Sequence, residues 1–64
     1  MRINTKKIQL ELDRLEWSVQ ELANRMGKKR QWVYFVMDGT KSHTFITVQN
    51  IADALGVESR DLII

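Results

Sequence analysis

The sequence contains no cysteine, no proline, three glycines and one histidine among its 64 residues. Without cysteine, the chain forms no disulfide and offers no thiolate to a metal. A single histidine, His43, would leave any zinc site dependent on carboxylates, so we expect neither a metal nor a cofactor. This histidine also belongs to no recognisable catalytic constellation, which argues against an enzyme.

Long apolar runs are also missing. No stretch approaches the roughly 20 apolar residues that span a bilayer, and hydrophobic residues make up 44% of the chain against 28% charged. This balance is typical of one globular domain. We therefore expect residues 1–64 to form a single domain located in the cytoplasm.

The few glycines predict where helices end. Gly27, Gly39 and Gly56 each follow directly on an amphipathic stretch, and glycine readily adopts the left-handed conformation that closes a helix. The absence of proline and the scarcity of glycine argue against a turn-rich β sandwich. The sequence thus predicts an all-α fold.

Local signals place the first two helices. Thr5 is expected to cap a helix whose apolar positions recur at three- and four-residue spacing, namely Ile8, Leu12 and Leu15. Ser18 and Glu21 fit a capping box, in which each side chain satisfies a backbone donor at a helix start. This second helix is expected to end at Met26.

Two further helices and a closing turn follow. A third helix is expected from about Lys29 to Asp38, and Thr44 or Thr47 can cap a fourth. The apolar residues of the fourth helix share one face: Phe45, Val48, Ile51, Ala52 and Leu55. A short turn over residues 58–62 completes the chain.

Charge is distributed unevenly along the chain. Residues 25–43 carry five basic side chains and one acidic, a net charge of +4, whereas the other 45 residues carry five basic and seven acidic. The basic run Lys28-Lys29-Arg30 stands at a predicted helix start, where the helix dipole disfavours cations and no Ser, Thr, Asp or Asn cap is present. We therefore expect an anionic partner, for which nucleic acid is the usual candidate. A solvated acidic face is expected on the first helix, from Glu11, Asp13 and Glu16.

Residues 18–39 hold an ordered set of small and apolar positions. Gly27 follows four residues after Ala23, and Val33 follows six residues after Gly27. Ala23 is small enough for a third helix to cross closely over it, Gly27 opens a tight turn, and Val33 fills the core. With Asp38-Gly39 and Ile51–Val57 in matching places, nearly the whole chain resembles the lambda-repressor-like family of helix-turn-helix regulators, also called Cro/repressor or XRE-type.

The resemblance implies a five-helix domain that binds double-stranded operator DNA, usually as a homodimer, and regulates transcription, so that it would be found at the nucleoid. Its third helix would lie in the major groove. The positions that match the family's base readers are Arg30, Gln31, Tyr34 and Phe35. Contacts to the DNA backbone are expected from Ser18, Val19, Lys28, Lys29, Lys41, Ser42, His43 and Thr44.

Several residues depart from the family pattern. Val19 stands where a glutamine often follows the helix cap, and Glu16 stands where glycine is common before the second helix. Lys28 replaces a usually buried aliphatic residue, and Lys29 replaces the usual Ser or Thr cap of the third helix. An exposed Phe35 is unusual for a base reader. These differences bear on individual contacts more than on the fold.

Two sets of residues leave alternatives open. Tyr34 and Phe35 could contact thymine methyls or sugars, bind a partner protein, or fold back over the edge of the core. Ile63 and Ile64 could form a two-fold dimer interface, or be covered by later residues of a longer protein. The competing function is therefore a protein-interaction module, such as an antitoxin or adaptor, that uses these aromatic and aliphatic residues.

Overall fold

The computed structural model describes residues 2–38 and 43–64, and within them the chain is helical. Four α-helices are followed by one 3₁₀ turn: α1 Thr5–Leu15, α2 Val19–Met26, α3 Arg30–Val36, α4 Phe45–Leu55, and the turn Ser59–Leu62. The predicted all-α class is confirmed. The expected fifth helix is a single 3₁₀ turn instead of an α-helix. None of the helices in the described ranges is long and apolar enough to cross a membrane.

Helix α1 begins one residue earlier than the sequence suggested. Asn4, and not Thr5, is the N-cap: its side-chain oxygen accepts the backbone N–H of Lys7 at 3.2 Å. Asn4 has the extended backbone that a cap requires (φ −80°, ψ 90°), whereas Thr5 is already the first helical residue. Ile8 and Leu12 are fully buried, as the spacing predicted.

The acidic face predicted on α1 is wrong at its first residue. Glu11 is only 7% exposed, because Lys7 and Arg14 cover its carboxylate with nitrogen–oxygen distances of 3.1 and 2.6 Å. The two cations sit four residues before and three after Glu11, where side chains on a helix meet. Asp13 and Glu16 are exposed, as expected.

Helix α2 begins and ends where the sequence predicted. The Ser18 hydroxyl accepts the backbone N–H of Glu21 at 3.1 Å, and Gly27 closes the helix in the left-handed conformation with φ 67°. The Glu21 carboxylate pairs with Arg25 at 3.1 Å. Ala23 is fully buried, and its carbonyl also accepts the N–H of Lys28 at 2.9 Å, which tightens the turn into α3.

Helix α3 is shorter than predicted. Lys29 is its N-cap and Met37 its C-cap, so the helix ends at Val36 before the expected Asp38. The predicted stop at Gly39 lies outside the described residues. Val33 and Val36 are 2% exposed and face the core, while Trp32 and Met37 are half-buried against it.

Helix α4 is capped by Thr44, whose hydroxyl accepts the N–H of Thr47 at 3.3 Å. It ends at Leu55, with Gly56 in the left-handed conformation. Phe45 does not join the buried face and stays 50% exposed. As the first helical residue, it precedes the stretch that meets the core, formed by Val48, Ile51, Ala52 and Leu55.

The two ends of the chain are joined by main-chain hydrogen bonds. Ile3 and Ile63 form an isolated antiparallel bridge. The Asn4 N–H donates to the Leu62 carbonyl at 2.7 Å, and the Ile64 N–H donates to the Arg2 carbonyl at 3.1 Å. Ile3 and Leu62 are buried in the same core as the four helices.

Candidate nucleic-acid interface

The four predicted base readers lie on the exposed side of α3. Val33 and Val36, three residues apart, face the core, and at 100° per residue this turns Gln31, Tyr34 and Phe35 outward. Arg30 and Gln31 are exposed in the first turn, while two aromatic residues follow one turn later, Tyr34 at 56% and Phe35 at 54% exposure.

The start of α3 carries three consecutive exposed cations, Lys28, Lys29 and Arg30. Lys29 has the extended backbone of an N-cap (φ −83°, ψ 153°) but makes no side-chain capping hydrogen bond, because an ammonium group has no lone pair to accept one. The Lys28 ammonium lies 5.3 Å from the centroid of the Trp32 ring. This stacking holds Lys28 beside the helix.

Most of the other basic residues in the described ranges are ion-paired, unlike these three cations. Lys7 and Arg14 pair with Glu11, Arg25 with Glu21, and Arg60 with Glu58. Within residues 2–38 and 43–64, residues 28–30 have no such carboxylate partner. The start of α3 is therefore a region of uncompensated positive charge.

In the first turn of α2, the backbone N–H groups are more available for a DNA contact than the side chains are. The Ser18 hydroxyl is engaged in its cap, and the Val19 side chain packs against the core. Because the first N–H groups of a helix have no intrahelical acceptor, the predicted DNA contact of Val19 would use its backbone N–H.

The segment that leads into α4 is described from His43 onward, so the predicted backbone contacts Lys41 and Ser42 lie outside the described residues. His43 is half-buried, and its ring packs edge-on against Phe35, with 5.8 Å between centroids and 84° between ring planes. Its Nε2 atom is buried, so a phosphate contact by His43 would have to use Nδ1. Thr44 is exposed and uses its hydroxyl to cap α4.

The structure also contains aromatic contacts that sequence reasoning missed. Besides the Phe35–His43 contact, the Arg25 guanidinium stacks 4.1 Å above the Trp17 ring. Trp17, directly before the Ser18 cap, also lies against the core. Because Trp17 precedes the cap of α2, helix periodicity does not relate it to Arg25, and no local signal in the sequence indicated the stacking.

The predicted dimer residues have different surroundings. Ile63 is half-buried and packs against the core, whereas Ile64 is 81% exposed.

Elsewhere, an open groove of about 520 Å³ runs between α4 and the closing turn. No group of three or more histidine, aspartate or glutamate residues gathers as metal ligands in the described part of the chain.

No protein-family model, curated protein or solved structure matches this chain.

Proposed function

We propose that this protein is a lambda-repressor-like regulator that binds double-stranded DNA, with α3 in the major groove. The observation that carries the proposal is the run of three exposed cations at the start of α3, which have no carboxylate partner in the described ranges. Three adjacent uncompensated cations repel one another and attract a polyanion. The phosphates of duplex DNA supply that charge at high density.

The reader residues stand beside this cationic region. Arg30 can donate two hydrogen bonds to guanine, and Gln31 can pair with adenine through one donor and one acceptor. Each such pair discriminates against the wrong base by ~1–3 kcal/mol. Tyr34 and Phe35 follow one turn later and would approach the next bases along the groove.

The surrounding residues would fix the position of α3 on the duplex. Lys28 and Lys29 would meet phosphates beside the groove, together with the backbone at the start of α2 and Thr44 at the start of α4. Such contacts orient a protein without reading sequence. Lys41 and Ser42, between α3 and α4 in the sequence, would add to this set.

The simplest mode of regulation for a DNA-binding domain is repression by occupancy, which requires only that the domain be bound to its site. A two-fold dimer would place two copies of α3 one turn of DNA apart, ~34 Å, and would read an inverted repeat. Ile64, with its exposed aliphatic side chain, would take part in the dimer contact.

The first experiment is selection of bound duplexes from a randomised DNA pool. The wild-type protein is run beside the double variant Arg30→Ala/Gln31→Ala. The control is Gln49→Ala/Asn50→Ala on α4, which replaces a half-buried and an exposed polar residue outside the proposed interface. We expect the wild type and the control to enrich two inverted half-sites. The Arg30→Ala/Gln31→Ala variant should enrich a different sequence or none. No enrichment by any of the three proteins would overturn the proposal.

A second function, a protein-interaction module, is favoured by the exposed rings of Tyr34 and Phe35 and by the exposed Ile64. The dependence of binding affinity on salt concentration distinguishes DNA binding from partner binding. DNA binding through several phosphates weakens log-linearly with salt, by a slope close to the number of phosphates contacted. Partner binding through apolar side chains would change little over the same range, and such a result would favour the interaction module.

A further inference from the structure

An aromatic ring stands among the predicted DNA-binding side chains of α3. Phe35 is 54% exposed, on the helix that begins with Arg30 and Gln31. Single exposed hydrophobic residues are common on protein surfaces and need no explanation by themselves. What distinguishes Phe35 is that its ring is restrained although it is not buried.

The restraint comes from His43, which lies outside α3. The two rings meet edge to face, with 5.8 Å between centroids and an angle of 84°, the arrangement that aromatic pairs prefer. His43 is itself half-buried, and its Nε2 atom is covered. A half-buried ring from the segment before α4 thus limits the orientations that Phe35 can adopt.

The position of Phe35 on α3 determines which group of the DNA its ring can contact. Phe35 follows Gln31 by four residues, so the two side chains are neighbours on one helix face, with ~5–6 Å between their Cβ atoms. A Phe ring offers no hydrogen bond to a base edge. The apolar group that base pairs display in the major groove is the C5 methyl of thymine. The cationic run at residues 28–30 makes a polyanion the complementary ligand for this face.

We propose that Phe35 reads a thymine methyl group and that His43 is a positioning residue that holds its ring for this contact. The inference rests on the proposed DNA-binding function and specifies it further: the half-site contains a thymine close to the base that Gln31 contacts, because Phe35 and Gln31 are neighbours on one face of α3. In this role His43 acts through the Phe35 ring and not through a phosphate.

Replacement of thymine by deoxyuridine tests the contact, because it removes one methyl group and leaves base pairing unchanged. Each thymine of the selected duplex is replaced in turn, and affinity is measured by fluorescence anisotropy. We expect one position per half-site to lose about fourfold in affinity, the equivalent of ~0.8 kcal/mol for one buried carbon. For Phe35→Ala the thymine-to-deoxyuridine affinity ratio at that position should fall to about one.

Phe45 offers a matched control. It is a phenylalanine of similar exposure, 50%, at the start of α4. Phe45→Ala should keep the fourfold ratio that Phe35→Ala loses. Phe35→Leu, which keeps an apolar side chain without the ring, should give an intermediate ratio.

Two substitutions at His43 separate positioning from phosphate contact. His43→Ala removes the ring that restrains Phe35 and should lower the thymine-to-deoxyuridine ratio. His43→Phe keeps an edge-to-face partner without any charge and should restore the ratio. If His43 served only as a phosphate contact, both variants would weaken the two duplexes equally and leave the ratio at its wild-type value, which would overturn the positioning role.

The outcomes separate this inference from the function on which it rests. A wild-type protein that selects no duplex overturns the proposed function and this inference with it. A wild-type protein that binds a defined site but tolerates deoxyuridine at every position overturns the inference alone. If Phe35 instead contacted a partner protein, Phe35→Ala would leave both duplex affinities unchanged, which also overturns it.

Discussion

Glu16, the C-cap of α1, is the one non-glycine residue with positive φ in the described ranges, at 59°. The chain turns there so that the Trp17 N–H reaches back to the Leu12 carbonyl at 2.9 Å. A left-handed backbone costs an L-residue about 1–2 kcal/mol, and a carboxylate at a helix C-terminus is disfavoured by the helix dipole. Glu16 therefore costs the protein stability in two ways.

We expect Glu16→Gly to stabilise the protein by about 0.5–1.5 kcal/mol, because the relief of strain and charge exceeds the ~0.5–1 kcal/mol of added chain entropy. The free energy of unfolding in urea measures the change. Glu16→Ala is the control, since it removes the charge but keeps the Cβ atom. A glycine variant no more stable than the alanine variant would contradict the strain argument.

At the same scale, Arg30 and Lys29 are adjacent residues with different expected roles. Arg30→Ala should relax specificity at one base pair, with a discrimination loss of ~1–3 kcal/mol. Lys29→Ala should weaken all duplexes alike and lower the salt slope by about one. Both predictions are tested by measuring the affinity of each variant for the selected duplex and for its single-base variants. Uniform loss in both variants would show that the assignment of reader and anchor is wrong.

Among the helices, α3 begins at an N-cap residue, Lys29, that makes no side-chain capping hydrogen bond. The Lys29 backbone already has N-cap geometry, yet its side chain cannot accept a hydrogen bond from the helix. Ser at this position should stabilise the protein by about 0.5–2 kcal/mol, because the hydroxyl can accept a first-turn N–H. The same change removes a proposed phosphate contact, so Lys29→Ser should also weaken DNA binding.

Thermal unfolding and DNA binding of Lys29→Ser are measured together, with Lys6→Ser on the exposed side of α1 as the control. The control should change neither property appreciably. A stabilised variant with wild-type DNA affinity would show that Lys29 is not at the interface.

Helix α1 holds the buried carboxylate of Glu11. Hydrogen bonds from Arg14 and then Lys7 lower the pKa of Glu11 below its usual value of 4.5, against an opposing effect of desolvation. A carboxylate whose pKa is lower in the folded than in the unfolded protein stabilises the fold above the unfolded value. This contribution is lost as the pH falls through the lowered, folded-state pKa.

We therefore expect Glu11→Gln to be less stable than the wild type at neutral pH, and the difference to shrink as the pH falls below about 4.5. Urea unfolding of both proteins over a pH series gives the comparison. Arg14→Met should reproduce part of the neutral-pH loss, because Arg14 contributes most to the lowered pKa. A stability difference that stays constant down to acid pH would contradict the ionic origin.

At the scale of the whole molecule, the bridge between Ile3 and Ile63 brings both ends of the chain to one place. Ile64, beside it, is 81% exposed. From the proposed dimer contact we expect Ile64→Asp to raise the dissociation constant of the dimer at least tenfold, since burial of one isoleucine contributes about 1.5 kcal/mol or more. Sedimentation equilibrium measures the effect.

Leu10 provides the control for this prediction. It is an exposed aliphatic residue, at 63%, on α1. Leu10→Asp should leave the association unchanged. Equal self-association of the wild type and both variants would show that Ile64 is not at the dimer contact.

Much of the fold could be predicted because helix ends depend on neighbouring residues. The caps at Ser18 and Thr44 and the left-handed glycines Gly27 and Gly56 each act within one helical turn of their own position. The exposed face of α3 could be predicted for the same reason, since 100° periodicity relates it to the buried Val33.

The four α-helices, most of their core-facing positions and the cationic run could therefore be inferred from the sequence alone, with Phe45 wrongly placed on the buried face. The contact of His43 with Phe35 and the pairing of Ile3 with Ile63 could not, and they follow from the fold. Those partners are eight and sixty residues apart, in different elements, so no local periodicity relates them. Their meeting depends on how the elements pack around a shared core, and packing is a property of the whole chain.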